Sequence, residues 1–141
     1  MNIADAEAVM ALQAEVDFAM ELRLDEPALR SDWRIQLAAE RVIERIFQAA
    51  EALDLRRRER YFGRDGLIYL RGMRNRLAHN YLGVDVDILW STFNVDLPTV
   101  RDHMAQDVKD AAAQLRAGMK GQGSPIETWR SAHLGRIDPE A

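Results

Sequence analysis

Apolar residues return every three or four positions along most of this chain, and the runs that keep this spacing mark out its helices. In the first, predicted over residues 3–22, Val9, Leu12, Val16 and Met20 share one side. Ala11, Phe18 and Leu22 form a weaker apolar line opposite, which reads as partner surface or as ordinary scattered exposure. Asp25-Glu-Pro27 ends the segment. A second helix, opened by Ser31 or Asp32 as N-cap, carries Ile35, Ala39, Val42, Ile46, Ala49 and Leu53 on one seam. Arg34, Arg41, Glu44, Arg45 and Gln48 take its other side. Trp33, Leu37 and Phe47 lie off the seam, so this helix is expected to touch more than one neighbour, in a bundle interior or at a dimer interface.

Gly63 and Gly66 read as a short connection before a third helix that begins near Leu67. Gly83 should end or bend that helix, and Asp85 can cap a short one containing Ile88, Leu89, Trp90 and Phe93. Asp96-Leu-Pro98 restarts the chain, with proline in the first helical turn where its missing N–H is harmless. The last long helix, over residues 98–119, has the core stripe Val100, Met104, Val108, Ala111, Leu115 and Met119. Gly118, Gly121 and Gly123 stop it. Ser124-Pro-Ile-Glu127 has the form of a capping box and predicts a final short helix through Trp129 to Leu134. Residues 1–120 are thus expected to form one helical domain, and residues 121–141 a tail.

Composition agrees with that pattern. At 141 residues, 48% apolar and 30% charged, the chain has single-domain size and a globular balance, and its abundance of Ala, Leu, Glu and Arg favours an all-α fold of four to five helices. With no cysteine, disulfides and thiolate chemistry are excluded. The first residues are acidic where a signal peptide is basic, and no apolar run approaches the ~20 residues of a membrane span, so a cytoplasmic protein without a membrane partner is expected.

Charge changes the picture more. The formal net charge is −4, yet residues 56–76 hold eight arginines against Glu59 and Asp65, which makes that segment +6 and the remainder −10. A basic patch on an acidic protein points to a local polyanion partner. The plainer alternative for Arg56, Arg57, Arg58 and Arg60 is a solvated helix end.

The densest chemistry lies in Arg71-Gly-Met-Arg-Asn-Arg-Leu-Ala-His-Asn-Tyr81. On one helix, Leu70, Met73, Leu77 and Tyr81 share the apolar side with Arg74 among them, whereas Asn75 and His79 project together from the other side with Arg76 nearby. Arg74 and His79 are then about 140° apart. An arginine on a core side needs a partner. An internal salt bridge would supply one, leaving His79 exposed and Tyr81 a core-side tyrosine with a satisfied hydroxyl. Alternatively the helix distorts near His79 to Tyr81, or a second subunit completes the site, and Arg74 and His79 face one anion. His103 and His133, alone on other segments, read as surface residues.

Arg74-Asn-Arg-Leu-Ala-His79-Asn-Tyr81 matches an Arg-x4-His-x-Tyr motif, and the chain resembles the HepT-type HEPN-domain toxins that are paired with MNT nucleotidyltransferase antitoxins. Gly72-Met-Arg-Asn before the motif, Leu82-Gly-Val-Asp85 after it, then Ile88-Leu-Trp90 and Asp96-Leu-Pro98 follow in that family's order. The likeness covers roughly residues 1–118. Phe47-Gln48 departs from the Gly-Glu often seen in the second helix, and the tail has no counterpart.

The resemblance implies a homodimeric helical bundle whose two motifs line a shared cleft, and a metal-independent endoribonuclease without a cofactor. Arg74 and His79 would be catalytic and Asn75 supporting, with Arg71, Arg76, Arg56, Arg57, Arg58 and Arg60 on the RNA backbone. Tyr81 would also support the cleft, and would accept AMP from the antitoxin. The alternative is a non-catalytic binding module that serves as partner and AMP acceptor of a nucleotidyltransferase.

Overall fold

A computed structural model describes residues 1–79 and 85–118, without the side chains of Tyr69, Arg74 and residues 76–79. The described elements are all helical: α1 (Ile3–Glu21), α2 (Glu26–Ser31), α3 (Trp33–Glu51), α4 (Leu55–His79), α5 (Val86–Ser91), a π-helical turn (Thr92–Asp96) and α6 (Leu97–Gly118). This bears out the all-α expectation. Tyr81, the Gly83 bend, and the tail with its capping box and His133 lie outside the described residues.

The first helix begins at a reciprocal cap. Asn2 Oδ1 accepts the Asp5 N–H at 2.7 Å, and the Asp5 carboxylate accepts the Asn2 N–H. Val9, Leu12 and Val16 are buried, as the spacing requires, while Phe18 and Leu22 on the weaker line are exposed. α1 packs most extensively on α6 and next on α3. Ile3 at the start of α1 lies against Gly118 at the end of α6, so those two helices run antiparallel. Val100, Met104, Ala111 and Leu115 supply the α6 side of that core.

Four local expectations change. Asp25 does not simply end a segment: its side chain caps α2, which begins with Glu26-Pro27 and buries Leu29. The cap of α3 is as expected, Asp32 being the one of the two candidates that serves, and it accepts the Arg34 N–H at 3.0 Å. The buried side of α3 is turned slightly from the predicted seam: Ile43 and Phe47 join Ala39 and Ile46 in the core, while Ile35, Val42 and Ala49 pack at its edge. Phe47 is thus a core residue, whereas Trp33 and Leu37 are exposed at 67% and 54%.

The other two changes concern chain breaks. No loop separates residues 55–62 from the third predicted helix, because only Gly63 leaves helical geometry and α4 resumes at once. Nor does the chain restart at Asp96-Leu-Pro98, because the backbone stays helical from Asp87 through the π turn into α6.

Candidate functional site

α4 carries every described arginine of the basic segment and ends at the motif histidine. Asp54 opens it by accepting the Arg57 N–H at 3.2 Å, while Arg57 Nη1 donates to the same carboxylate at 2.8 Å. Gly63, at φ 71° and ψ 165°, sits in a region essentially reserved for glycine and divides the helix into two limbs. A break of this kind leaves the last carbonyls of the first limb without helical partners. His103 meets one of them, with Nδ1 3.1 Å from the Tyr61 carbonyl oxygen. It is therefore exposed, as expected, but tied to the kink.

The first limb is anchored through charge. Asp107 of α6 accepts hydrogen bonds from Arg60 and from the Tyr61 hydroxyl, and lies 3.8 Å from Arg57 Nε. Arg57 is also 3.5 Å from Asp5. Burial, and then the hydrogen bond and negative charge of Asp107, push the Tyr61 hydroxyl well above the usual tyrosine range. Sequence reading missed Asp107 and Tyr61. The available signal was an acid one turn from both Met104 and Ala111 of the α6 core stripe, facing an arginine-rich helix.

A cavity of about 450 Å³ adjoins the kink, between the α4 limbs and the start of α6. Tyr61, Phe62, Leu70, Leu97 and Val100 give it apolar walls, with His103 and Asp96 at its polar side. Burial alone pushes the Asp96 carboxyl up.

On the second limb Leu70 and Met73 are buried, at 4% and 3%, so the side predicted to be apolar does face the core. Position 74 follows directly in that register. Arg71 and Asn75 are exposed, on the opposite side. The backbone remains helical through His79, with Gly63 its sole non-helical residue among those described, so no distortion precedes the histidine. Positions 74 and 79 therefore keep their separation of about 140°. Of the other expected RNA contacts, Arg56 is exposed and Arg58 half-buried, whereas Arg57 and Arg60 are held by the protein's own acids.

The family described as Ribonuclease HepT-like matches residues 12–106, about two-thirds of the chain, and the match contains all of α4. The chain belongs to this family. Two proteins of Methanocaldococcus jannaschii, both named as candidate RNases, are each 32% identical to it over 76 residues. That stretch is 54% of this chain and 62% and 65% of theirs, so the chain spans less than two-thirds of the length of these curated relatives. No solved structure matches the chain. Among the described residues, no helix of this HepT-like protein is long and apolar enough to cross a membrane.

Proposed function

We propose that the chain is an endoribonuclease of toxin type, acting as a homodimer and restrained by an MNT-type nucleotidyltransferase that adds AMP to Tyr81. The observation that carries this reading is the HepT-like match across the helix bearing Arg74, His79 and the exposed Asn75. The names of the archaeal relatives support the same class of activity.

The chemistry follows from the residue types. The 2′-hydroxyl beside the scissile phosphate attacks phosphorus, the 5′-oxygen of the next nucleotide leaves, and a 2′,3′-cyclic phosphate forms. An imidazole with an ordinary pKa near ~6.5 suits the proton transfer, so His79 takes the 2′ proton or gives one to the leaving oxygen. The Arg74 guanidinium stabilises the charge that grows on the phosphorane. Asn75 orients His79 or donates to a phosphate oxygen, and arginines along α4 hold the strand by its backbone. AMP on Tyr81 would place bulk and negative charge where the substrate phosphate sits, which accounts for inactivation.

The test is cleavage of single-stranded RNA by the purified chain, with the products analysed for cyclic phosphate. His79→Ala should lower the rate by about 10²–10⁴-fold and Arg74→Ala by about 10²–10³-fold, with helicity unchanged. Equal rates in wild type and both variants would remove the catalytic assignment and leave a binding module. Intact mass after co-expression with the nucleotidyltransferase should show whole AMP additions that disappear in Tyr81→Phe; their persistence would exclude Tyr81 as acceptor.

A further inference from the structure

Folding makes the arginines of the basic segment unequal. Arg57 and Arg60 on the first limb of α4 are engaged by Asp5, Asp54 and Asp107. On the second limb Arg64 and Arg71 are exposed, and no carboxylate among the described residues pairs with either. The first limb thus commits two of its arginines to the protein's own acids and leaves Arg56 exposed, while past the Gly63 kink both Arg64 and Arg71 remain open to an outside anion.

Helical spacing sets Arg64, Ile68, Arg71 and Asn75 within about 60° of one another, in a line about 16 Å long. All four are exposed, Ile68 to 63%. Beside Arg71, Gly72 has nothing within 4 Å of the place a Cβ would occupy, so the backbone there is open to approach. Asp65 stands about 100° round from Arg64 and leaves the line itself positive. The line finishes at Asn75, one turn before position 79.

We infer that this line is the track on which single-stranded RNA is held as it enters the proposed site. Arg64 and Arg71 contact two backbone phosphates, Ile68 lies against the face of a base between them, and Asn75 meets the sugar or phosphate nearest the motif. An apolar side chain between two phosphate-binding groups suits a strand whose bases are unstacked and unpaired, because a duplex hides those faces. A second copy of the chain fits this face less well, since a two-fold contact of the line with itself would gather four arginines with no acid in the line to offset them. The track rests on the ribonuclease reading, adds Arg64 and Ile68 to the expected RNA contacts, and removes Arg57 and Arg60 from them.

The test uses the full chain and a short 2′-O-methyl oligouridylate, which binds without reacting, followed by fluorescence anisotropy over a salt series. Arg64→Gln and Arg71→Gln should each lower the slope of log affinity against log salt by about 0.7 and weaken binding about four-fold near physiological salt. Ile68→Ser should weaken binding and leave the slope alone. Arg41→Gln, whose partner is Glu44 on α3, should change neither. Slopes equal to wild type in both arginine variants would overturn the track. So would an Ile68→Ser chain that binds RNA normally but loses self-association in sedimentation, which would make this face a contact between copies. Cleavage of reactive RNA by His79→Ala separates the two proposals: unchanged slopes with cleavage still lost there dismiss the track alone, and a wild-type chain that neither binds nor cleaves dismisses both.

Discussion

Three side chains of the first α4 limb converge on Asp107, and one of them, Tyr61, is 1% exposed. A hydrogen bond from a buried hydroxyl to a carboxylate contributes roughly 1.5–3 kcal/mol, so Tyr61→Phe should lower the unfolding free energy by about that much. Asp107→Ala should cost more, because it also strands the Tyr61 hydroxyl and removes the acid facing Arg60. The shifted tyrosine predicts a pH effect as well. In the folded chain Tyr61 keeps its proton above the ordinary value of ~10, so the folded state binds a proton that the unfolded state has released. Its stabilisation is complete below pH ~10 and is lost as pH rises beyond it. Urea midpoints measured between neutral and strongly alkaline pH should therefore fall more steeply in wild type than in Tyr61→Phe; parallel curves would show that Tyr61 is not the linked group. The place of Asp107 beside the α6 core stripe was legible in the sequence, but its meeting with Tyr61 was not. Asp107 lies 46 positions from Tyr61 in the chain, and local patterns do not report a meeting across that distance.

At the scale of the element, α4 turns on one residue. Gly63 has open space where a Cβ would go, yet its φ of 71° is strained for any other residue. Gly63→Ala should thus destabilise by ~1–3 kcal/mol although nothing clashes. Gly72→Ala, equally unobstructed but inside regular helix, should stabilise by ~0.5–1 kcal/mol. Opposite shifts in the melting temperatures of these two variants would confirm the kink, and shifts of the same sign would refute it. Sequence reading took Gly63 and Gly66 for a connection because both are breakers. Only the first breaks, since Gly66 stays in the helix with its Cβ position 3.4 Å from Phe62. The long amphipathic stripes of α1 and α6 were readable because a core face repeated over many turns leaves little ambiguity. A six-residue helix such as α2 has too few turns to show a period, and its cap, Asp25 followed by Pro27, also reads as a turn.

For the molecule as a whole, the register of α4 bears on how many chains the proposed site requires. Spacing alone placed Arg74 and His79 about 140° apart, and left a distorted helix or a second subunit to reunite them. The helix is regular through His79, which weighs against distortion before the histidine and favours a site shared across the proposed dimer. The consequence is a complementation result that no single chain can mimic. Take a heterodimer, isolated through two different affinity tags, with Arg74→Ala in one chain and His79→Ala in the other. If each site draws its arginine from one chain and its histidine from the partner, one site carries both defects and the other carries none. Cleavage should then return to about half the wild-type rate, while either variant homodimer stays at background. If both groups act from the same chain, each site of the heterodimer holds one defect and the rate stays at background. The outcome separates a composite cleft from two self-contained sites without requiring the RNA target to be known.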